Sequence, residues 1–123
     1  MKNIKKWVKA QLAADEAAKK MVQGRVFAFR TGTEVPAPFV VMTGFSTDYA
    51  QTCDGVFPSS CSFSILCVAQ TNEEAATLAD VVKGALGSGY VAESDELVTL
   101  SREVERYDFE QKLFVNELIY NVN

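Results

Sequence analysis

The sequence predicts an α+β fold: a mainly antiparallel sheet with two helices packed on one of its faces. Three observations carry this. Apolar residues recur at three- and four-residue spacing over residues 3–22 and 72–86, the period of a helix with one buried side. Elsewhere β-branched and aromatic residues form short runs that alternate with polar ones, the period of a strand. The runs follow one another across short turn signals, and strands joined that way are antiparallel. The predicted order is helix, three strands, helix, two strands.

The first helix covers residues 3–22. Asn3 is a candidate cap, Ile4, Trp7, Val8 and Leu12 begin the apolar stripe, and Gly24 is placed to end it in a left-handed conformation. Val26-Phe27-Ala28-Phe29 within 25–30 reads as a short strand, and 31–38 as a loop, since Pro36 and Pro38 exclude a central strand there. Phe39 to about Gln51 reads as a strand with Phe39, Val41, Thr43, Phe45, Thr47 and Tyr49 on one face, and Gly44 as a bulge or a close approach.

Cys53-Asp54-Gly55 signals a hairpin turn, which Phe57 and Pro58 extend into a longer loop. The returning strand is 59–70, with Cys61, Phe63, Ile65, Cys67 and Ala69 on one face. Thr71-Asn72-Glu73-Glu74 has capping-box spacing and opens a helix that Gly87 closes. Its stripe is Ala75, Leu78, Ala79, Val82, Ala85 and Leu86. After a polar loop over 88–95, residues 97–106 and 110–122 read as two strands joined through Tyr107-Asp108-Phe109. In the last strand Leu113, Val115 and Ile119 oppose Phe114, Leu118, Tyr120 and Val122. Both faces are therefore apolar, which asks for something packed on the second face.

The chain has 123 residues, 48% apolar and 23% charged, which fits a single domain over 1–123. No apolar run reaches the roughly 18 residues that span a bilayer. The basic N-terminus lacks the apolar stretch of a signal peptide, because Lys9, Asp15 and Glu16 interrupt it. The expected compartment is the cytosol, and no membrane partner is expected. Three cysteines, Cys53, Cys61 and Cys67, argue against a disulfide framework and read as small buried hydrophobes.

The chain contains no histidine, which removes Ser–His–Asp and Cys–His catalysis and every histidine-based zinc site. Gly84, Gly87 and Gly89 follow a helix instead of opening one after a strand, so they match no phosphate-binding loop. Cys61 and Cys67 lie on one strand, roughly 20 Å apart at about 3.3 Å per residue, too far for one metal. Glu103 and Glu105 share a strand face and could serve acid–base chemistry, but Arg102 and Arg106 interleave with them, the pattern of a solvated face. No cofactor, metal or catalytic residue is expected, and binding other protein chains is the expected work.

Charge is unevenly placed. Residues 1–30 carry eight Lys/Arg and two Asp/Glu, a net +6; residues 31–123 carry four and fourteen, a net −10. Lys2, Lys5, Lys6, Lys9, Lys19 and Lys20 could touch phosphates, yet they wrap much of the helix without a nucleic-acid motif. They read as a solvated face or as one side of a self-association steered by opposite charge. Specific nucleic-acid binding is not expected. The candidate interface residues are Lys5, Lys6, Lys9, Pro36, Pro38, Phe57, Glu103 and Glu105. Phe57, in its predicted loop, either anchors a partner or folds back on its own sheet.

Several segments in order resemble the tail-completion, or tail-terminator and head–tail joining, proteins of long-tailed bacteriophages. An Ala/Leu-rich helix leads through Gly24-Arg25-Val26 into a strand. Pro36-Ala37-Pro38-Phe39-Val40-Val41 is similar to the family's proline followed by an apolar strand. Ser62-Phe63-Ser64-Ile65 precedes Glu73-Glu74-Ala75-Ala76 and Leu78-Ala79-Asp80, and 107–122 looks like the closing strand. The three cysteines are not features of that family. The resemblance implies a virion tail or neck subunit assembled in the bacterial cytoplasm, with no catalytic residues. It implies a hexameric homo-oligomeric ring that ends the tail tube and meets the head connector, with DNA passing through it. A small ligand-binding or regulatory α+β domain is the other reading that the residues leave open.

Overall fold

The computed structural model describes residues 2–28, 37–87, 89–91 and 96–122, with only the backbone for residues 2, 3, 50, 52, 57–60 and 90. The expected α+β class is what forms. In chain order the elements are α1 (Lys2–Ala14), α2 (Glu16–Val22), β1 (Val26–Ala28), β2 (Phe39–Thr52), β3 (Gly55–Ala69), α3 (Asn72–Leu86), β4 (Tyr90–Val91), β5 (Glu96–Asp108) and β6 (Leu113–Val122). The strands form one sheet in the order β1-β2-β3-β6-β5-β4. Every described pairing is antiparallel except β1 with β2, where Val26 faces Val40.

The first helical segment is two helices, not one. Asp15 is extended, with φ −84° and ψ 119°, and its side chain accepts the Ala18 N–H at 3.0 Å. A carboxylate that caps the following turn competes with continuing the helix through it. The apolar stripe runs on across the break: Ile4, Val8 and Leu12 from α1, then Ala18 and Val22 from α2, are all buried. Asn3 falls inside α1 and does not cap it. Gln23, at φ 49°, takes the left-handed position that closes α2, and Gly24 follows at φ 81°.

The β2–β3 turn is shorter than its sequence suggests. Thr52 pairs with Gly55, so Cys53-Asp54 alone makes it. Phe57 and Pro58 therefore lie in β3, opposite Ala50 and Tyr49. Proline is tolerated there because β6 pairs with β3 only from Cys61 onward, so among the described residues the outer edge of 55–60 has no ladder bond to lose.

β2 also changes face midway. Its register with β3 shifts between Thr43 and Ser46, around Gly44 at φ 65°. Phe39 and Val41 lie on the sheet face away from the helices, whereas Phe45 packs with the helix-side core. The single face expected for Phe39 through Tyr49 is thus interrupted by the bulge. A Cβ at Gly44 would sit 3.2 Å from Ser64 Oγ, in a backbone conformation that β-branched residues avoid. Gly44→Val is expected to cost about 1–3 kcal/mol. Urea unfolding checks this, and a midpoint equal to that of the wild type would contradict it.

Thr71 caps α3 as expected, its Oγ1 accepting the Glu74 N–H at 3.1 Å. The last hairpin turns later than expected. Tyr107 and Asp108 belong to β5, and Asp108 Oδ1 accepts the N–H groups of Glu110 and Gln111 at 3.0 and 3.2 Å. That side-chain turn, with Lys112 at φ 57°, takes residues 109–112 out of the strand.

All three helices pack on one sheet face. Their stripes meet Val40, Met42, Phe63, Ile65, Cys67, Leu118 and Tyr120 in the main core. At its centre Phe63 stacks between Phe45 and Tyr120, with ring centroids 5.6 and 5.4 Å away. The opposite face carries a smaller cluster of Phe39, Val41, Val68 and Val115, flanked by Phe27, Ala37, Leu66 and Leu113, and among the described residues no helix residue belongs to it.

Candidate protein-interaction site

Surface chemistry follows from which strand and which face each residue occupies. On β5, Glu103 pairs across to Leu118 and Glu105 to Asn116, so both carboxylates face the helix side. Glu103 is held there. Lys83 of α3 donates to it at 3.1 Å and also bridges Asp80 at 3.1 Å. These bonds to two carboxylates raise the Lys83 ammonium pKa above its usual value. Glu105 is exposed and has no ion-pair partner among the described residues. On the opposite face Arg106 bridges Glu117 at 2.7 Å. The two glutamates expected to share a face do so, but a lysine occupies one of them.

The basic helix divides its lysines. Lys5 Nζ lies 4.7 Å from the centre of the Phe45 ring, an ammonium over an aromatic face. Lys6 and Lys9 are exposed. Lys9 of α1 and Lys19 of α2 line an open groove of about 710 Å³ with Leu12, Ala13, Val22 and Val26. The groove lies between α1 and α2, which meet at Asp15, and reaches β1 at Val26.

Pro38 is half-buried; its carbonyl accepts from Arg25 Nε at 3.0 Å, and its bond to Ala37 is cis. Pro36 lies outside the described residues. Phe57 is a strand residue whose side chain is not described, so the loop anchor expected of it has lost its loop. An exposed aromatic does exist elsewhere. Phe109, in the β5–β6 turn, is 82% exposed and stands edge-on to Tyr107 at 4.9 Å, which meets Phe114 at 4.8 Å. In the sequence, 107–109 reads only as a connection. The signal available was an aromatic directly after a turn-forming aspartate.

The cysteines differ in environment. Cys53 is exposed in the β2–β3 turn, and Cys61 lies 3.6 Å from Thr47 Oγ1. Cys67 is buried, and loss of hydration, with a smaller push from the Glu103 carboxylate, moves its thiol from 9.0 up to about 12. Among the described residues no three His, Cys, Asp or Glu side chains converge as metal ligands would. Asn116, 1% exposed and opposite Cys67, has an amide nitrogen with no partner among the described residues. Such a group costs about 1–3 kcal/mol.

No protein-family model matches this sequence, and no curated protein matches it. The fold is similar to that of a solved chain from the virion of a native gene transfer agent (GTA) particle. The TM-score is 0.73 at 18% identity, over 94% of this chain and 89% of that one. At that identity the likeness establishes a shared fold.

Proposed function

We propose that this chain is a non-enzymatic structural subunit of a phage or phage-like virion, which acts at the tail or neck. In the finer form of the reading it assembles into a ring that ends the tail tube and meets the head connector. The observation that carries the reading is the end-to-end sharing of this fold with a virion chain. The surface agrees in kind. Its unusual features are apolar and charged patches for protein contact, including Phe109 at a hairpin tip.

Deleting the gene from the phage or prophage that encodes it tests the reading. Heads should separate from tails, and the tails should lose their fixed length when viewed by electron microscopy. Mass spectrometry of intact purified particles should contain the chain. Joined particles with tails of normal length in its absence would overturn the tail-ending role. Absence of the chain from particles would overturn the virion reading altogether.

A further inference from the structure

We infer that the groove beside β1 receives the outer strand β5 of a second copy of this chain, so that subunits join head to tail. The inference rests on the structural-subunit reading and specifies the contact.

The two surfaces lie at opposite margins of the sheet, since β1 ends one side of the strand order and β4–β5 the other. β4 covers β5 only at Glu96 and Leu97. Beyond the bond from Val98 N–H to the Gly89 carbonyl, the outer edge of β5 has no strand partner among the described residues. Its helix-side row presents Leu100, 42% exposed, then Glu103, which Lys83 holds, and then Glu105. The row thus offers an apolar knob at Leu100 and, further along the same face, an exposed carboxylate at Glu105 with no ion-pair partner among the described residues.

The groove is the complementary shape. Leu12, Ala13, Val22 and Val26 make apolar walls, and Lys9 and Lys19 supply two exposed ammonium groups. No ion-pair partner is found for either among the described residues. Leucine burial supplies the contact, and opposite charge sets its register and speeds encounter. The segment bearing the groove carries a net +6 and the remainder, including β5, a net −10, so the long-range field favours this pairing over groove with groove. Main-chain strand addition is the weaker alternative, because Arg102, Glu103, Glu105 and Arg106 crowd β5 and charges on an edge discourage it. Since the surfaces differ, each subunit offers one of each, and the association is heterologous: it closes into a ring or runs on as a filament.

Two variants test this. Lys9→Glu/Lys19→Glu spoils the groove and leaves the edge intact; Leu100→Asp spoils the edge and leaves the groove. All three positions are exposed, and circular dichroism with thermal melting verifies that each variant folds. Each alone should associate about a hundredfold more weakly than wild type in sedimentation, since two attractions become repulsions or the apolar knob is lost. Mixed in equal amounts, they should form a one-to-one pair and nothing larger, because only one good groove and one good edge remain. Carbodiimide coupling of assembled wild type should join Lys9 or Lys19 to Glu105. Variants that assemble like wild type, a mixture that stays monomeric, or cross-links confined to other residues would overturn the contact while leaving the virion reading intact. Wild type that is monomeric at every concentration and occurs singly in particles would do the same, as would a small molecule retained in the groove in native mass spectra. Failure of the virion reading appears separately, as absence from particles.

Discussion

Replacing Phe63 with alanine should remove about 3–5 kcal/mol of folding stability, the range for deleting a buried aromatic ring. Phe63 is fully buried and stacked on both sides, against Phe45 and Tyr120. Its loss therefore removes two ring contacts as well as apolar burial, and neither neighbour can collapse into the space without leaving its own strand. Against a total stability of about 5–15 kcal/mol for a protein of this class, that is a large share. A fall in melting temperature of roughly 10–20 °C is expected, with the urea midpoint falling in parallel. A loss under about 1.5 kcal/mol would show that the stack is not central to the core. Phe63→Leu, which keeps much of the volume, should cost less than half as much.

The second large effect is alkaline destabilisation. Burial holds the Cys67 thiol neutral, up to about 12 from an ordinary value of 9.0. The Tyr120 hydroxyl is pushed up as well, mainly by burial and then by the Cys67 and Glu103 charges. Both groups are neutral when protonated, and the unfolded chain releases these protons at lower pH than the folded chain does. Their contribution is whole below the unfolded values and is lost as pH rises from about 9 towards 12 for Cys67. Each fully differential group can remove up to about 1.4 kcal/mol per pH unit. Urea midpoints measured from pH 8 to 11 should be level at first and then fall. Cys67→Ala should flatten part of the decline, even though it lowers stability at pH 8. A profile equally steep with and without Cys67 would assign the decline to other groups.

Much of this fold could be read from the residues, because local chemistry and tertiary packing agree there. The α3 boundaries follow from Thr71 and Gly87, and the helix-facing row of β3 follows from the apolar–polar alternation of Cys61 to Ile65, continued at the same period through the wholly apolar 65–69. The misreadings share a cause: a local signal that periodicity cannot show. Asp15 breaks the first helix without interrupting the apolar stripe, so the stripe looked continuous and the groove was invisible. Gly44 moves Phe45 to the other face by one inserted residue. Pro58 looked like a loop residue because a strand edge free of partners is a property of the sheet, not of the segment.

The interaction surface was harder to read than the core. A core residue announces itself by its period, but an exposed one is informative only once its neighbours are known. Glu103 and Glu105 are alike in sequence, and only the packing of α3 separates them by bringing Lys83 to the first. Lys5 and Lys9 are one turn apart on one helix, yet one sits over an aromatic ring and the other lines the groove. Phe57 and Phe109 each sat in a predicted connection. The two-residue turn placed the first in a strand, and the aspartate-anchored turn left the second in solvent.

The strand order also has a consequence for how the sheet is joined. β6 lies between β3 and β5, near the middle of the sheet, although it is the last of the described strands to be synthesised. Without residues 113–122, the β2–β3 hairpin and α3 can still pack together. β5, however, has nothing to join except the two residues of β4. One edge of β3 and one edge of β5 then stand bare, each waiting for the same ten residues. With β6 in place, one strand covers both edges and joins two otherwise separate pieces into one sheet.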